Sequence, residues 1–165
     1  YVISAKGEVV ENLPEEKTAI NLDIQNQFRD KQIDKEDRLY PIFEAKKDGN
    51  KVYVLPVVGK GLWGPIWGYL ALSEDQKTIV GASFDHKGET PGLGAEIKQS
   101  FFENQFEDEK IAKDDGFAEI QVVQNGTGTE DQKVDGITGG TITSKGVEEM
   151  VNRTMQFYHK YFNQK

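Results

Sequence analysis

A glycine-rich segment with several hydroxyl groups, residues 135–146 (DGITGGTITSKG), carries the residue types best suited to chemistry in this sequence. Gly139 and Gly140 let the backbone approach a bulky group without a Cβ in the way. The segment leads into a predicted helix, whose first N–H groups lack helical partners and can bind an anion. Thr141 places a hydroxyl between these two features. The segment therefore indicates an anion site, although these residues alone favour a flexible turn before a capped helix.

The helix after this segment is indicated by mostly apolar residues at intervals of three and four. They are Val147, Met150, Val151, Thr154, Tyr158, Tyr161 and Phe162. Glu148 and Glu149 stand in its first turn, where acids complement the helix dipole. Thr143 or Ser144 is the predicted N-cap. A capping box is absent, because the third residue after Ser144 is Val147 rather than Glu or Gln.

The rest of the pattern predicts an α+β fold: a single domain with a mainly antiparallel sheet and flanking helices. Leu13-Pro14 should open a helix whose buried stripe is Ala19, Ile20, Ile24 and Phe28, and residues 29–38 should form a solvated connection. A second helix is predicted at residues 95–106, with Ile97, Phe101 and Phe102 facing inward.

Turn residues divide the strand-like segments. Asp48-Gly49-Asn50 predicts a hairpin between strands at residues 39–45 and 51–58, because these residues tolerate positive φ. Further strands are expected at residues 65–72, 78–84 and 117–123. The acidic segment 107–115 lacks the ligand spacing of an EF-hand, so it indicates a solvated loop rather than a metal site.

Composition excludes several classes of function. The chain has 165 residues, enough for one domain, and it contains no cysteine, which excludes disulfides and a cysteine nucleophile. Its net charge of −8 argues against binding to nucleic acid or to anionic lipid. The longest uncharged run, residues 61–73, is too short to span a membrane. The sequence begins at Tyr1 without an initiator methionine, so an anchor before Tyr1 would not be visible.

Two more glycine-rich segments could line a pocket. Residues 59–72 (GKGLWGPIWGYLAL) place Leu62, Trp63 and Trp67 among glycines, and residues 86–97 (HKGETPGLGAEI) form a rigid turn before a helix. On their own, the tryptophans favour ordinary core packing, and Pro91 and the glycines after it favour a tight turn. His86 is expected to be a surface loop residue without a role.

Together the three segments resemble the flavin mononucleotide (FMN) binding domain found in the C subunit of the sodium-translocating NADH:quinone reductase. GLWGPIWGYLAL, HKGETPGLGAEI and VDGITGGTITSKGV occur in the order and with roughly the spacing of that family. The G subunit of the related Rnf ferredoxin:NAD oxidoreductase carries similar motifs, but the GLWGP element is closer to the quinone reductase family. Thr138 and Gly140 stand where the family commonly has Ser and Ala.

The resemblance implies that Thr141 receives FMN through a phosphoester bond, installed by a flavin transferase for which Asp135 is a recognition residue. Leu62, Trp63 and Leu93 would cover the faces of the flavin ring, and Glu89 and Thr90 would meet its polar edges or ribityl hydroxyls. The other expected cofactor-binding residues are Thr138, Gly139, Gly140 and Gly92 from the motifs, and Thr143 and Lys145 beside the phosphate.

The same resemblance implies that the chain is one electron-transfer station of a sodium-pumping NADH:quinone oxidoreductase, without a substrate of its own. Residues 1–165 would be a periplasm-facing domain, held at the bacterial inner membrane by a preceding N-terminal helix and bound to other subunits. The absence of a GxGxxG fingerprint argues against an NADH site. The alternatives are an Rnf-type G subunit, a noncatalytic extracytoplasmic ligand-binding module, and a hydrolase using Asp135, Glu89 or His86.

Overall fold

The computed structural model describes residues 1–113, 116–124, 126, 128 and 130–164. The strands are β1 (Val2–Ser4), β2 (Leu39–Pro41), β3 (Phe43–Lys47), β4 (Asn50–Lys60), β5 (Pro65–Leu72), β6 (Ile79–His86), β7 (Ala112–Lys113), β8 (Gly116–Phe117), β9 (Gln121–Val123) and β10 (Lys133–Asp135). The α-helices are α1 (Ile24–Arg29), α2 (Ser100–Glu103) and α3 (Thr141–Phe162). Short 3-10 turns span Glu15–Lys17, Lys35–Asp37, Gly94–Lys98 and Asn104–Phe106.

A four-stranded antiparallel sheet in the order β3-β4-β5-β6 forms the centre of the fold. Asp48 and Gly49 connect β3 to β4 with φ values of 52° and 84°, as a tight two-residue hairpin requires. β5 and β6 follow as a meander, with Tyr69 opposite Ser83. The predicted turn at Asp48-Gly49, the predicted strand at residues 65–72 and the α+β class with a mainly antiparallel sheet are confirmed. The strand predicted at residues 39–45 is divided: β2 pairs with β1, and only β3 forms the hairpin with β4.

The long helix α3 packs against β4 and β5. Val147, Met150 and Met155 are fully buried on it, within the same apolar cluster as Leu55 and Leu70 of the sheet. Hydrogen bonds also join α3 to neighbouring strands. The Tyr158 hydroxyl donates to the Pro41 carbonyl of β2 at 2.8 Å, and Arg153 donates to the Val58 carbonyl of β4 at 2.6 Å. The predicted stripe of this helix is confirmed, and it holds the helix as one rigid element.

The predicted helix at residues 95–106 is wrong in its continuity. Gln99 has an extended backbone (φ −89°, ψ 143°) that separates the turn Gly94–Lys98 from α2. Phe102 and Phe106 pack on Phe84 of β6, with ring centroids 6.0 and 5.1 Å from it. Phe101 cannot face the same cluster and is 60% exposed, which contradicts its predicted burial.

The predicted N-terminal helix is also wrong. Thr18 has an extended backbone (ψ 158°) that ends the turn Glu15–Lys17, and Ile20 is 84% exposed. The helix that does form, α1, is capped by Asp23, whose carboxylate accepts the Asn26 N–H at 2.8 Å. Phe28 of α1 is covered by the guanidinium of Arg153, 4.5 Å from the ring centroid.

The strand predicted at residues 117–123 is divided into β8 and β9. β9 pairs in parallel with β10, and it is also bonded to α3. The Val122 N–H donates to Glu148 at 2.5 Å, and the Asn152 amide donates to the Ile120 carbonyl at 2.8 Å. In the acidic segment 107–115, Asp114 and Asp115 lie outside the described residues.

Two absences apply to the described part of the chain. It contains no group of acidic or histidine side chains arranged to hold a metal ion. No helix within it is both long and apolar enough to cross a membrane.

Candidate functional site

Thr141 is the first residue of α3, so the helix starts earlier than the sequence pattern predicts. Gly140 is the N-cap residue, and its carbonyl accepts the Ser144 N–H at 2.9 Å. Gly139 has a φ of +73°, a conformation that side chains other than glycine rarely adopt. The Thr141 side chain is exposed, and its Oγ1 accepts a hydrogen bond from the Gln124 amide at 2.8 Å. The chain therefore presents a hydroxyl at a helix N-terminus, next to N–H groups without helical partners.

Thr143 and Ser144, the predicted N-caps, have other roles, so that prediction is wrong. Both side chains are buried, at 1% exposure each. The Ser144 hydroxyl accepts the Ile137 N–H at 3.0 Å, which fastens the glycine-rich loop onto the helix. The Thr143 hydroxyl accepts the Leu62 N–H at 3.3 Å and donates to Glu89 Oε2 at 2.5 Å. Both hydroxyls are hydrogen-bonded, as buried hydroxyls need to be. The partner of Ser144 is local, whereas those of Thr143 come from two distant segments of the chain.

The Glu89 carboxylate joins the three glycine-rich segments. It is only 4% exposed: Oε1 accepts the Trp63 N–H at 2.9 Å, while Oε2 accepts the Thr143 hydroxyl. We call this group the Glu89 clamp: Glu89, Thr143 and the N–H groups of Leu62 and Trp63. A Cβ at Gly61 would lie 2.5 Å from Glu89 Oε1, and one at Gly94 would lie 2.6 Å from Oε2. Glycine at both positions is therefore a requirement of the clamp.

His86 is hydrogen-bonded to the backbone of Glu89. Its Nδ1 accepts the Glu89 N–H at 3.1 Å. Sequence reasoning assigned His86 no role, and nothing in the spacing of three residues could have indicated this bond. The contact ties the backbone of Glu89 to His86, the last residue of β6.

A cavity of about 340 Å³ lies beside Thr141. Four partly exposed apolar side chains stand around it: Leu62, Trp63, Leu93 and Ile142. The remaining lining residues are Glu89, Thr90, Gly94, Gly139, Gly140, Thr141 and Thr143. Trp63 is 67% exposed, so ordinary core packing does not describe it, whereas Trp67 is half-buried in β5. The structure thus brings together most of the site residues that the sequence indicated.

A second, smaller cavity of about 110 Å³ lies on another side of Thr141. Its lining consists of Gln124, Gly136, Ile137, Thr138, Gly139 and Thr141. Sequence reasoning missed Gln124, which stands in a segment without periodicity, 17 residues from Thr141. It also missed Ile142, which the predicted helix start left outside the helix.

Three predicted site residues do not line either cavity. Lys145 pairs with Glu148 at 2.7 Å, so its ammonium group is already engaged. Gly92 forms the turn before Gly94–Lys98, with a φ of +76°, and its N–H donates to Glu96. The Asp135 carboxylate accepts the Gly128 N–H at 3.1 Å, and the Asp135 N–H donates to Gln105. Their roles toward a flavin or a transferase stay predictions.

Comparison with known proteins identifies the class to which this fold and site belong. Residues 61–156, from the first glycine-rich segment through most of α3, match the FMN-binding domain family, and the chain belongs to that family.

Within that family the chain is similar to the C subunit of the Na(+)-translocating NADH-quinone reductase. It is 35% identical to the protein from Yersinia pestis over 67% of this chain and 43% of that protein, and 32% identical to the one from Pseudomonas aeruginosa over 73% of this chain and 48% of that protein. The chain thus spans less than half the length of these relatives. The predicted resemblance is confirmed.

A solved structure supports the same conclusion. In sequence, this chain is 39% identical to the C subunit of the Na(+)-translocating NADH-quinone reductase from Parabacteroides distasonis. Its fold matches the crystal structure of that subunit with a TM-score of 0.83. The similarity covers 100% of this chain and 77% of that one. The α+β fold derived from the sequence is therefore the fold of these reductase subunits.

Proposed function

We propose that this chain carries FMN on Thr141 through a phosphoester bond and serves as an electron-transfer domain of a redox complex. One observation carries the proposal. Thr141, the first residue of α3, has an exposed hydroxyl and lines a cavity of about 340 Å³, in a chain that belongs to the FMN-binding domain family. The volume lies within the range of about 300–1,000 Å³ that is typical of small-molecule sites.

The residues around Thr141 fit the parts of FMN. Leu62, Trp63, Leu93 and Ile142 offer apolar surface to a flat ring, and Thr90 offers a hydroxyl to its polar parts. Attachment leaves one negative charge on the phosphoester, and the free N–H groups and dipole of the 22-residue helix stabilise a charge at this end. Glu89 contributes through the clamp, because both of its oxygens already accept hydrogen bonds within the protein.

The flavin, when bound, supplies one-electron and two-electron redox chemistry, and the protein supplies its position. The relatives are C subunits of the Na(+)-translocating NADH-quinone reductase. In our proposal the chain receives electrons from one centre of such a complex and delivers them to another, while NADH oxidation, quinone reduction and sodium transport belong to the assembly. The domain faces the periplasm, held at the bacterial inner membrane by a preceding helix and by other subunits.

The test of the attachment is coexpression with a flavin transferase, followed by denaturing electrophoresis and intact mass measurement. The expected result is flavin fluorescence that survives denaturation, with one FMN per chain. Thr141→Ala should abolish it, and Thr141→Ser should retain it because serine keeps the hydroxyl. Thr18→Ala, which removes a hydroxyl near the N-terminal 3-10 turn, is the matched control and should be fully loaded. Fluorescence that persists in Thr141→Ala would refute the attachment site.

The place in a complex has a separate test. The loaded chain should co-purify with the other subunits of the reductase when all are expressed together, and NADH should reduce its flavin only in that assembly. Rapid reduction of the isolated loaded chain by NADH would contradict the proposed role.

A further inference from the structure

Two cavities of different chemistry meet at Thr141. Gly139 and Thr141 line both of them. The larger cavity is bordered by apolar side chains, whereas the smaller one, of about 110 Å³, has the polar residues Gln124 and Thr138 in its lining. An FMN phosphoester on Thr141 has a polar phosphoryl group and a large flat ring. The phosphoryl group requires polar surroundings and the ring requires apolar ones, so each part suits one of the two cavities.

Gln124 is held in place by the fold. It directly follows β9. Val122 of β9 is bonded to Glu148 of α3, and Ile120, the residue before β9, is bonded to Asn152 of α3. α3 begins at Thr141, so the helix that anchors β9 also carries the acceptor hydroxyl. The hydrogen bonds that dock β9 on α3 therefore help to set the position of Gln124 relative to Thr141.

The hydrogen bond between these residues orients the hydroxyl. Gln124 Nε2 donates to Thr141 Oγ1 at 2.8 Å. A threonine hydroxyl has two acceptor lone pairs and one proton. The amide occupies one lone pair, so the other lone pair and the proton remain available for a reaction, and rotation about the Cα–Cβ bond is restricted.

We propose that Gln124 is a positioning residue for flavin attachment and that the smaller cavity receives the phosphoryl group. This inference rests on the proposed attachment to Thr141. The step is phosphoryl transfer from a flavin pyrophosphate: the Oγ1–P bond forms, the P–O bond to the leaving phosphate breaks, and that phosphate keeps the electron pair. The hydroxyl proton passes to a base of the transferase. After transfer, the Gln124 amide and the Thr138 hydroxyl donate to the phosphoryl oxygens.

The test compares Gln124→Met and Thr138→Val with wild type. Methionine keeps the length of glutamine and removes its donor, and Gln156→Met on the exposed side of α3 is the matched control. Intact mass spectra recorded over time, with transferase and flavin pyrophosphate, give the loading rate. Loss of one hydrogen bond should slow loading by about three- to tenfold in Gln124→Met, with an unchanged melting temperature. Gln156→Met should load like wild type.

A second measurement separates contact with the phosphate from a structural effect. After loading to completion, the ³¹P resonance of the phosphoester should shift in Gln124→Met and Thr138→Val and stay in place in Gln156→Met. Wild-type loading rates and an unchanged ³¹P resonance in both site variants would overturn the inference. Absence of flavin from wild type, or its retention in Thr141→Ala, would instead overturn the proposed function.

Discussion

Replacing Thr143 by valine tests whether the Glu89 clamp holds the site together. Valine has nearly the shape of threonine, so the change removes the hydroxyl and leaves the packing of the buried position intact. Two hydrogen bonds disappear: the 2.5 Å bond donated to Glu89 and the 3.3 Å bond accepted from Leu62. Both former partners remain in place with an unused donor or acceptor.

The magnitude follows from these contacts. A hydrogen bond to a charged group contributes about 1.5–3 kcal/mol, while the longer bond to Leu62 adds little. The added methyl group recovers part of this loss, since a buried CH₂ contributes about 0.8 kcal/mol. We expect Thr143→Val to lower the free energy of unfolding by about 2 kcal/mol, and the melting temperature by about 4–8 °C for a domain of this size.

The assay is urea unfolding and thermal unfolding of the chain without flavin, so that ligand binding does not contribute. Thr143→Ser keeps the hydroxyl and loses a methyl group, and should cost about 1 kcal/mol. Thr90→Val, at an exposed position of the same cavity, should change stability by less than about 0.5 kcal/mol. The reasoning is refuted if Thr143→Val is as stable as wild type or more stable than Thr143→Ser.

The remaining predictions concern glycine, charge and pH. Gly94→Ala places a Cβ 2.6 Å from both Glu89 Oε2 and Thr143 Oγ1, so it should destabilise the fold by about 1–3 kcal/mol in urea unfolding; Gly88→Ala, which has open space around it, should not. Burial alone would raise the pKa of Asp75, but hydrogen bonds from Ser73, Thr78 and the Lys77 N–H lower it from 3.8 to about 2. Since the folded pKa lies below the unfolded one, this stabilisation is present above about pH 4 and is lost as the pH falls toward 2. The stability difference between wild type and Asp75→Asn should therefore shrink over that window, by on the order of 1 kcal/mol after solvent screening; a constant difference would contradict this. Asp135→Ala should lower flavin incorporation by the transferase while folding stays intact. Asp135→Asn still accepts the Gly128 N–H, so it separates the effect of the charge from that of loop support. Normal loading of Asp135→Ala would confine the role of Asp135 to loop structure.

Local signals in the sequence were sufficient for the central hairpin, for β5 and for the buried stripe of the long helix. Asp48-Gly49 supplies the positive φ values of a tight hairpin, and β5 spans Pro65–Leu72 as predicted. The stripe of α3 was readable because a helix of 22 residues repeats its apolar positions many times. The short helical segments were not predictable in this way. One extended residue, Thr18 or Gln99, interrupts a pattern whose spacing still looks helical.

The site was only partly predictable, for a different reason. Glycines and the hydroxyl of Thr141 lie in one contiguous segment, so their chemistry could be read locally. The partners Glu89 and Thr143 are 54 residues apart in sequence, and no periodic pattern relates them. Gln124 stands in a loop, and its hydrogen bond to Thr141 depends on how β9 docks on α3. Tertiary packing decides such contacts.

The length of α3 also determines how far Thr141 lies from the N-terminal end of the chain. Thr141 is its first residue and Phe162 its last, which at 1.5 Å per residue places them about 30 Å apart. Near the far end, Tyr161 packs on Tyr1, with ring centroids 5.6 Å apart. The Thr141 side chain and the N-terminal strand therefore lie at opposite ends of one packed helix. Their separation is set by the length of that helix.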